Sequence, residues 1–221
     1  IIFDLDGTII DTEDIWQQAG EDLLKERGII LTKERWEILT PQIRGLALHK
    51  SCKIVKDFAQ LSDSVEDLIK EKQERAAKLY HQSVKFLNGF LPFFNQINKI
   101  DIKKAIATNA DDTILAATKS KLPLDKFFGQ HIYNISCVNN VCKPAPDLYL
   151  YAASKLEVDP QECVAIEDSH HGVTAAKQAG LFCIGINSAK DRKQLKDADF
   201  IIDSYSEINL DKLILNNNKA C

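Results

Sequence analysis

Ile1-Ile2-Phe3-Asp4-Leu5-Asp6-Gly7-Thr8 is the stretch that decides the fold. Three apolar residues running into two carboxylates one residue apart describe the carboxyl end of a buried parallel strand, where open α/β sheets place their ligands. Alternate side chains of an extended segment share a face, so Asp4 and Asp6 point the same way until Gly7 lets the backbone turn sharply. Two carboxylates so placed need a metal ion or a proton.

Beyond Thr12 the period changes from strand to helix. Ile15, Trp16, Ala19, Leu23 and Leu24 recur at helical spacing and Gly28 closes that helix. Val65, Leu68, Ile69, Ala76 and Leu79 mark a longer amphipathic helix opened by Asp63 or Ser64. No strand-like run interrupts residues 13–83, which read as a helical insertion. From Phe86 on, apolar strands at 105–107, 163–166, 182–186 and 200–202 alternate with helices around 113–120, 147–156 and 172–179, the pattern of a parallel sheet with right-handed crossovers.

With 45% apolar and 27% charged residues, the 221-residue chain has the composition of a soluble globular protein with room for a core. A net charge of −4 without a long basic run argues against nucleic acid or an anionic membrane as partner, so an anionic substrate has to be met by local positive groups. No apolar run approaches the roughly 18 residues of a membrane span. The six cysteines form no C-x-x-C pair, and Cys163 and Cys183 sit in apolar strand-like runs, where a thiol acts as a small hydrophobe. A reducing, cytoplasmic setting is expected.

The opening stretch resembles the first motif of the haloacid dehalogenase superfamily of phosphatases and phosphomutases, an apolar strand followed by D-x-D-G-T. Ile106-Ala107-Thr108-Asn109 resembles that family's second motif and Lys143-Pro144-Ala145-Pro146-Asp147 its third. Val164-Ala165-Ile166-Glu167-Asp168-Ser169, followed by Gly172, resembles the fourth. Each motif alone has an ordinary explanation: Asp before Gly makes turns, Glu167-Asp168 and Ser169 precede a helix they can cap, and a lysine before proline is usually solvated surface. Four in order over nearly the whole chain form a specific signature.

The resemblance implies an α/β fold with a Rossmann-like three-layer core and central parallel sheet, built from residues 1–12 and 84–221. The insertion, 13–83, would be the α-helical cap of the superfamily's first class, closing over the catalytic loop. It further implies phosphoryl transfer through an aspartyl-phosphate, with Asp4 as nucleophile and Asp6 as general acid and base. Lys143 would bridge nucleophile and phosphate, while Thr108 and the backbone around Asn109 would donate to phosphoryl oxygens. Mg²⁺ is the implied cofactor, held by the side chains of Asp4 and Asp168 and the backbone carbonyl of Asp6, with Glu167 in the outer sphere. Thr8 and Asp11 would tie the loop internally. His170 and His171 occupy variable positions and read as a helix start.

Asp6 separates this chain from the haloacid dehalogenases and phosphonoacetaldehyde hydrolases, which lack an aspartate there. The fourth motif and the cap resemble the β-phosphoglucomutase-like branch. In that alignment Trp16 stands where the mutase has a histidine, and Leu48 where it has an arginine, taking Gly45 as the cap-loop glycine. The reading is therefore a monomeric phosphatase for a small phosphorylated metabolite of the sugar phosphate or phosphoglycolate type, with Arg44, Gly45 and Lys50 as cap-side substrate contacts. A phosphosugar mutase is the alternative. A catalytically silent binding domain is a second one, against which stand Asp4, Asp6, Lys143 and Asp168, all present.

Overall fold

The computed structural model describes residues 1–43 and 46–210. They form two compact units. Among the described residues, one comprises Ile1–Asp11, Lys85–Asp111 and residues 123–210; the other lies within Thr12–Val84 and Asp112–Leu122.

The first unit holds β1 (Ile2–Phe3), β2 (Ile10–Asp11), β3 (Lys85–Phe86), β4 (Ala105–Thr108), β5 (Ile132–Asn134), β6 (Val164–Glu167), β7 (Phe182–Ile186) and β8 (Phe200–Ile202). Six of these make one parallel sheet in the order β5-β4-β1-β6-β7-β8. β1 is central, with Phe3 in register with Ile106 on one side and Ile166 on the other. That register brings the carboxyl ends of β1, β4 and β6 side by side, and with them Asp4, Thr108 and Glu167.

The pleat of β1 explains the layering. Ile2 belongs to a core cluster with Ala105, Ala107 and Ala165 of the sheet, Leu148 and Ala152 of α8 (Asp147–Leu156) and Val173 of α9 (His170–Gln178). Phe3, one residue on and so on the opposite face, meets Phe90 and Phe93 of α5 (Phe90–Ile97) and Phe128 of α7 (Leu124–Phe128), with ring centroids 5.8–6.3 Å away. Helices thus cover both faces, as a parallel sheet requires.

β2 and β3 pair antiparallel where the chain leaves the first unit and returns to it, Ile10 facing Phe86. The sequence reading lacked this ribbon because two-residue strands carry no alternation. It also lacked β5, whose three residues are too short a run to show an alternation.

The second unit contains α1 (Glu13–Lys25), α2 (Lys33–Ile43), α3 (Leu48–Ala59), α4 (Val65–Ser83) and α6 (Asp112–Lys121). Its core gathers Leu23, Leu24, Leu31, Leu39, Cys52, Val55, Leu61 and Leu68. Of the two caps proposed for α4, Ser64 is the one used, its hydroxyl accepting the Asp67 N–H at 3.0 Å. Asp63 instead pairs with Arg27, Nη2 to Oδ1 2.6 Å. Helix α6, expected from the sequence within residues 84–221 of the core, groups with the second unit because it packs along α4, with Ser120 Oγ 2.7 Å from His81 Nδ1. Among the described residues no helix is long and apolar enough to cross a membrane.

Candidate active site

The loop after β1 is fixed by its own backbone. Asp4 N–H donates to Ile166 O at 3.0 Å, extending the β1–β6 pairing by one residue, and Leu5 O accepts the N–H groups of Ile9 (2.9 Å) and Ile10 (3.0 Å). Gly7 has φ +79°, and a Cβ there would fall 2.2 Å from Asp168 Oδ2. Only glycine satisfies both the turn and the close approach of Asp168. The expectation that Thr8 ties this loop needs correction: its buried hydroxyl makes no hydrogen bond among the described residues, while its carbonyl accepts the Tyr205 hydroxyl at 3.0 Å. Asp11 pairs with Lys85 across the β2–β3 ribbon at 3.3 Å, both partly exposed, an arrangement of little energetic weight.

Lys143 is buried at the centre of the site. Its Nζ donates to Asp4 Oδ1 at 2.6 Å, Glu167 Oε1 at 2.6 Å and the Ala107 carbonyl at 2.8 Å. These account for the three hydrogens of an ammonium. The loop that carries it is anchored by Asn109, whose Oδ1 accepts the Lys143 N–H at 2.9 Å. Thr108, at the end of β4, accepts the Ala110 N–H on its hydroxyl at 3.0 Å and so shapes the turn that holds Asn109.

Glu167 is wholly buried and fully used. Oε1 accepts from Lys143 and from the Tyr149 hydroxyl at 2.8 Å; Oε2 accepts from Asp168 N–H at 3.2 Å and the Ser169 hydroxyl at 3.3 Å. Ser169 also caps α9 through the Gly172 N–H at 3.1 Å. A Cβ on Gly172 would lie 1.9 Å from the Glu167 carboxylate, so the motif glycine is the space Glu167 occupies. Tyr149 escaped the sequence reading because its spacing with Leu148 and Ala152 looks like ordinary core.

One ammonium faces several carboxylates here. Burial, with the neighbouring charges of Glu167 and Asp6, pushes the Asp4 carboxyl up to about 7 against the pull of Lys143. Burial and the charges of Asp4 and Glu167 also push Asp168 well above the carboxylate range. Burial works against the Lys143 charge, but Asp4 and Glu167 outweigh it and hold the ammonium protonated. Carboxylate oxygens of Asp4, Glu167 and Asp168 lie within 4.8 Å of one another. This excess of hard oxygen donors over cations fits a divalent ion of the Mg²⁺ type. Because the Glu167 oxygens already have their donors, Asp4 and Asp168 are the side chains suited to hold it.

Of the cap-side candidates, Arg44 and Gly45 lie outside the described residues, and Lys50 is exposed on α3 of the second unit. His170 begins α9, as expected. Trp16 donates its indole N–H to the Tyr80 hydroxyl at 3.1 Å within the second unit.

This geometry is that of a known family. The chain matches the model of the haloacid dehalogenase-like hydrolases over residues 1–186 and belongs to that family. It is 29% identical over 200 residues to a phosphorylated carbohydrates phosphatase of Thermotoga maritima, covering 90% of each chain. To the β-phosphoglucomutase of Bacillus subtilis it is 25% identical over 226 residues, covering 96% of this chain and 92% of that one. A crystal structure of a family IA hydrolase of this type from Entamoeba histolytica superimposes with a TM-score of 0.84 at 26% identity, covering 98% of both.

Proposed function

We propose that this chain is a Mg²⁺-dependent phosphatase that hydrolyses a small phosphorylated metabolite of the sugar phosphate or phosphoglycolate type through an aspartyl-phosphate on Asp4. The observation that carries the reading is the buried Lys143, bonded at once to Asp4 and Glu167 beside Asp168. A carboxylate so oriented, with Mg²⁺ offsetting the negative charge that Lys143 alone leaves unbalanced, would be a competent nucleophile.

In the first half-reaction an Asp4 oxygen attacks phosphorus, the bond from phosphorus to the ester oxygen breaks, and the Asp6 carboxyl gives its proton to the leaving alkoxide. In the second, the Asp6 carboxylate takes a proton from water, the water oxygen attacks phosphorus, and the bond to Asp4 breaks. Inorganic phosphate leaves with Asp4 and Asp6 restored. Asp4 and Asp168, with the Asp6 carbonyl, would hold Mg²⁺, which when bound would supply positive charge that offsets the repulsion between carboxylate and phosphate. The second unit serves as the cap that admits substrate, with Arg44, Gly45 and Lys50 as contacts.

The mutase reading draws on the β-phosphoglucomutase relative. Trp16 speaks against it, since an indole N–H already given to Tyr80 cannot carry protons to and from a sugar hydroxyl. Two assays test the proposal. Phosphate release from p-nitrophenyl phosphate should require Mg²⁺ and stop with chelator; equal turnover in chelator refutes the metal. With β-glucose 1-phosphate and a bisphosphate primer, inorganic phosphate should appear and glucose 6-phosphate should not; efficient isomerisation makes the chain a mutase.

A further inference from the structure

Tyr149 lies in the first turn of α8, and none of the motifs includes it. Its side chain is wholly buried. The hydroxyl donates to Glu167 Oε1 at 2.8 Å; Lys143 Nζ lies 3.4 Å from the hydroxyl oxygen and 4.8 Å from the ring centroid. Burial and the charges of Glu167 and Asp4 raise the phenol well above its ordinary value, so it is a neutral hydrogen-bond donor. The room for a ring at this point comes from the small residues of the sheet, Ala107 and Ala165, in the same cluster.

Asp4 and Glu167 compete for one ammonium at equal distance, 2.6 Å each. Buried and in a low dielectric, that competition is sensitive to any further donor on either carboxylate. We propose that the Tyr149 hydroxyl is a positioning group for the Asp4–Lys143 pair: by sharing Glu167 Oε1 it weakens the hold of Glu167 on Lys143 and keeps the ammonium seated on the nucleophile. The inference rests on Asp4 being the nucleophile.

Tyr149→Phe keeps the ring, its packing and its face toward the cation, and deletes the 2.8 Å donor to Glu167 together with the longer, 3.4 Å contact that Lys143 Nζ makes with the hydroxyl oxygen. Glu167 Oε1 is then left with Lys143 alone, and Nζ is drawn away from Asp4 Oδ1. The consequence falls on the first half-reaction, where Asp4 attacks as a carboxylate. It spares the second, because the esterified Asp4 no longer presents that charge.

The test is a chemical-quench single turnover with p-nitrophenyl phosphate and Mg²⁺, following phosphorylated Asp4 by mass spectrometry. In Tyr149→Phe, formation should slow about tenfold, the scale of one hydrogen bond to a charged group, while breakdown stays within about twofold of wild type. Placing p-aminophenylalanine at position 149 returns a neutral N–H donor and should restore the formation rate. Formation at the wild-type rate, equal slowing of both halves, or failure of the amine to restore it would each overturn the inference. Wild-type protein that forms no phosphorylated Asp4 removes the nucleophile reading itself, and the inference with it. A crystal structure of Tyr149→Phe gives a readout independent of turnover: Nζ should move toward Glu167, and an unchanged Lys143–Asp4 contact counts against the proposal.

Discussion

Asp4 and Asp6 sit two residues apart, yet their surroundings differ, and the proposed division of roles between them follows that difference. Asp4 is buried under Lys143, whereas Asp6 is half-buried in the turn, its backbone bridged to Ile10. Asp4→Asn keeps the shape but lacks a nucleophilic oxygen, so no phosphoenzyme should form; a trapped phosphoenzyme on that variant would refute the role. Asp6→Asn should still be phosphorylated by an activated ester but turn over slowly, because general acid–base catalysis contributes roughly 10²–10⁴-fold. At this scale the sequence was most readable, since D-x-D-G, Lys143 and Glu167-Asp168 each carry chemistry in their residue type. What it hid was partnership. That Glu167 uses both oxygens on Lys143, Tyr149, Asp168 and Ser169, and that Gly172 is empty space for it, follows from strands and helices far apart in the chain.

Among the elements, the apolar runs of the sheet strands other than β5 and the helical periods of α1 and α4 were legible, whereas β2, β3 and β5 and the separate helices α2 and α3 were not. β4 and β6 are buried throughout and read as apolar runs; β2 and β3, two residues each, carry no such signal. Helix α4 shows why a cap cannot be chosen from sequence alone, because Asp63 and Ser64 are equally good N-cap types. The choice is made across space by Arg27, which engages Asp63 through Nε and Nη2 and Glu71 through Nη1 and Nη2. Ser64→Ala should therefore destabilise the second unit by about 1 kcal/mol. Arg27 also sets an acid limit. Its hydrogen bonds hold the Asp63 and Glu71 carboxyls below their ordinary values of 3.8 and 4.5. A depressed carboxyl contributes stability above its unfolded value and loses it as pH falls through the folded one. Arg27→Met should accordingly lower the melting temperature at pH 7, and the deficit should shrink as the pH is taken down below the ordinary carboxylate range. Trp16 and Trp36 both lie in this unit, so tryptophan fluorescence reads it directly. A loss that stays constant down the acid range would show that Arg27 acts through packing alone.

For the whole molecule, the division into units was legible as a change of period near Thr12 and again near Phe86, but the membership of α6 was not. A helix between two sheet strands is expected to cover the sheet, and only its packing along α4 reveals otherwise. The global consequence of the site is a conflict between stability and function. Asp4 is raised by burial and by the charges of Glu167 and Asp6, and Asp168 by burial and by the charges of Asp4 and Glu167. A raised carboxyl contributes stability below its unfolded value and loses it as pH climbs through the folded one. The metal-free protein should thus lose stability between about pH 4 and pH 8, as these groups are forced to ionise in a crowded site. Mg²⁺ held at this cluster, as proposed, would favour the ionised form and displace protons, so its stabilising effect should be larger at pH 8 than at pH 5. Asp168→Asn removes one charge while nearly keeping the volume. In chelator at pH 8 this variant should melt above the wild type, with the gap closing toward pH 5, and Mg²⁺ should no longer raise its melting temperature. A variant that melts below the wild type at pH 8 without metal would mean that Asp168 stabilises the fold as it stands and that the carboxylate cluster carries no strain for a cation to relieve.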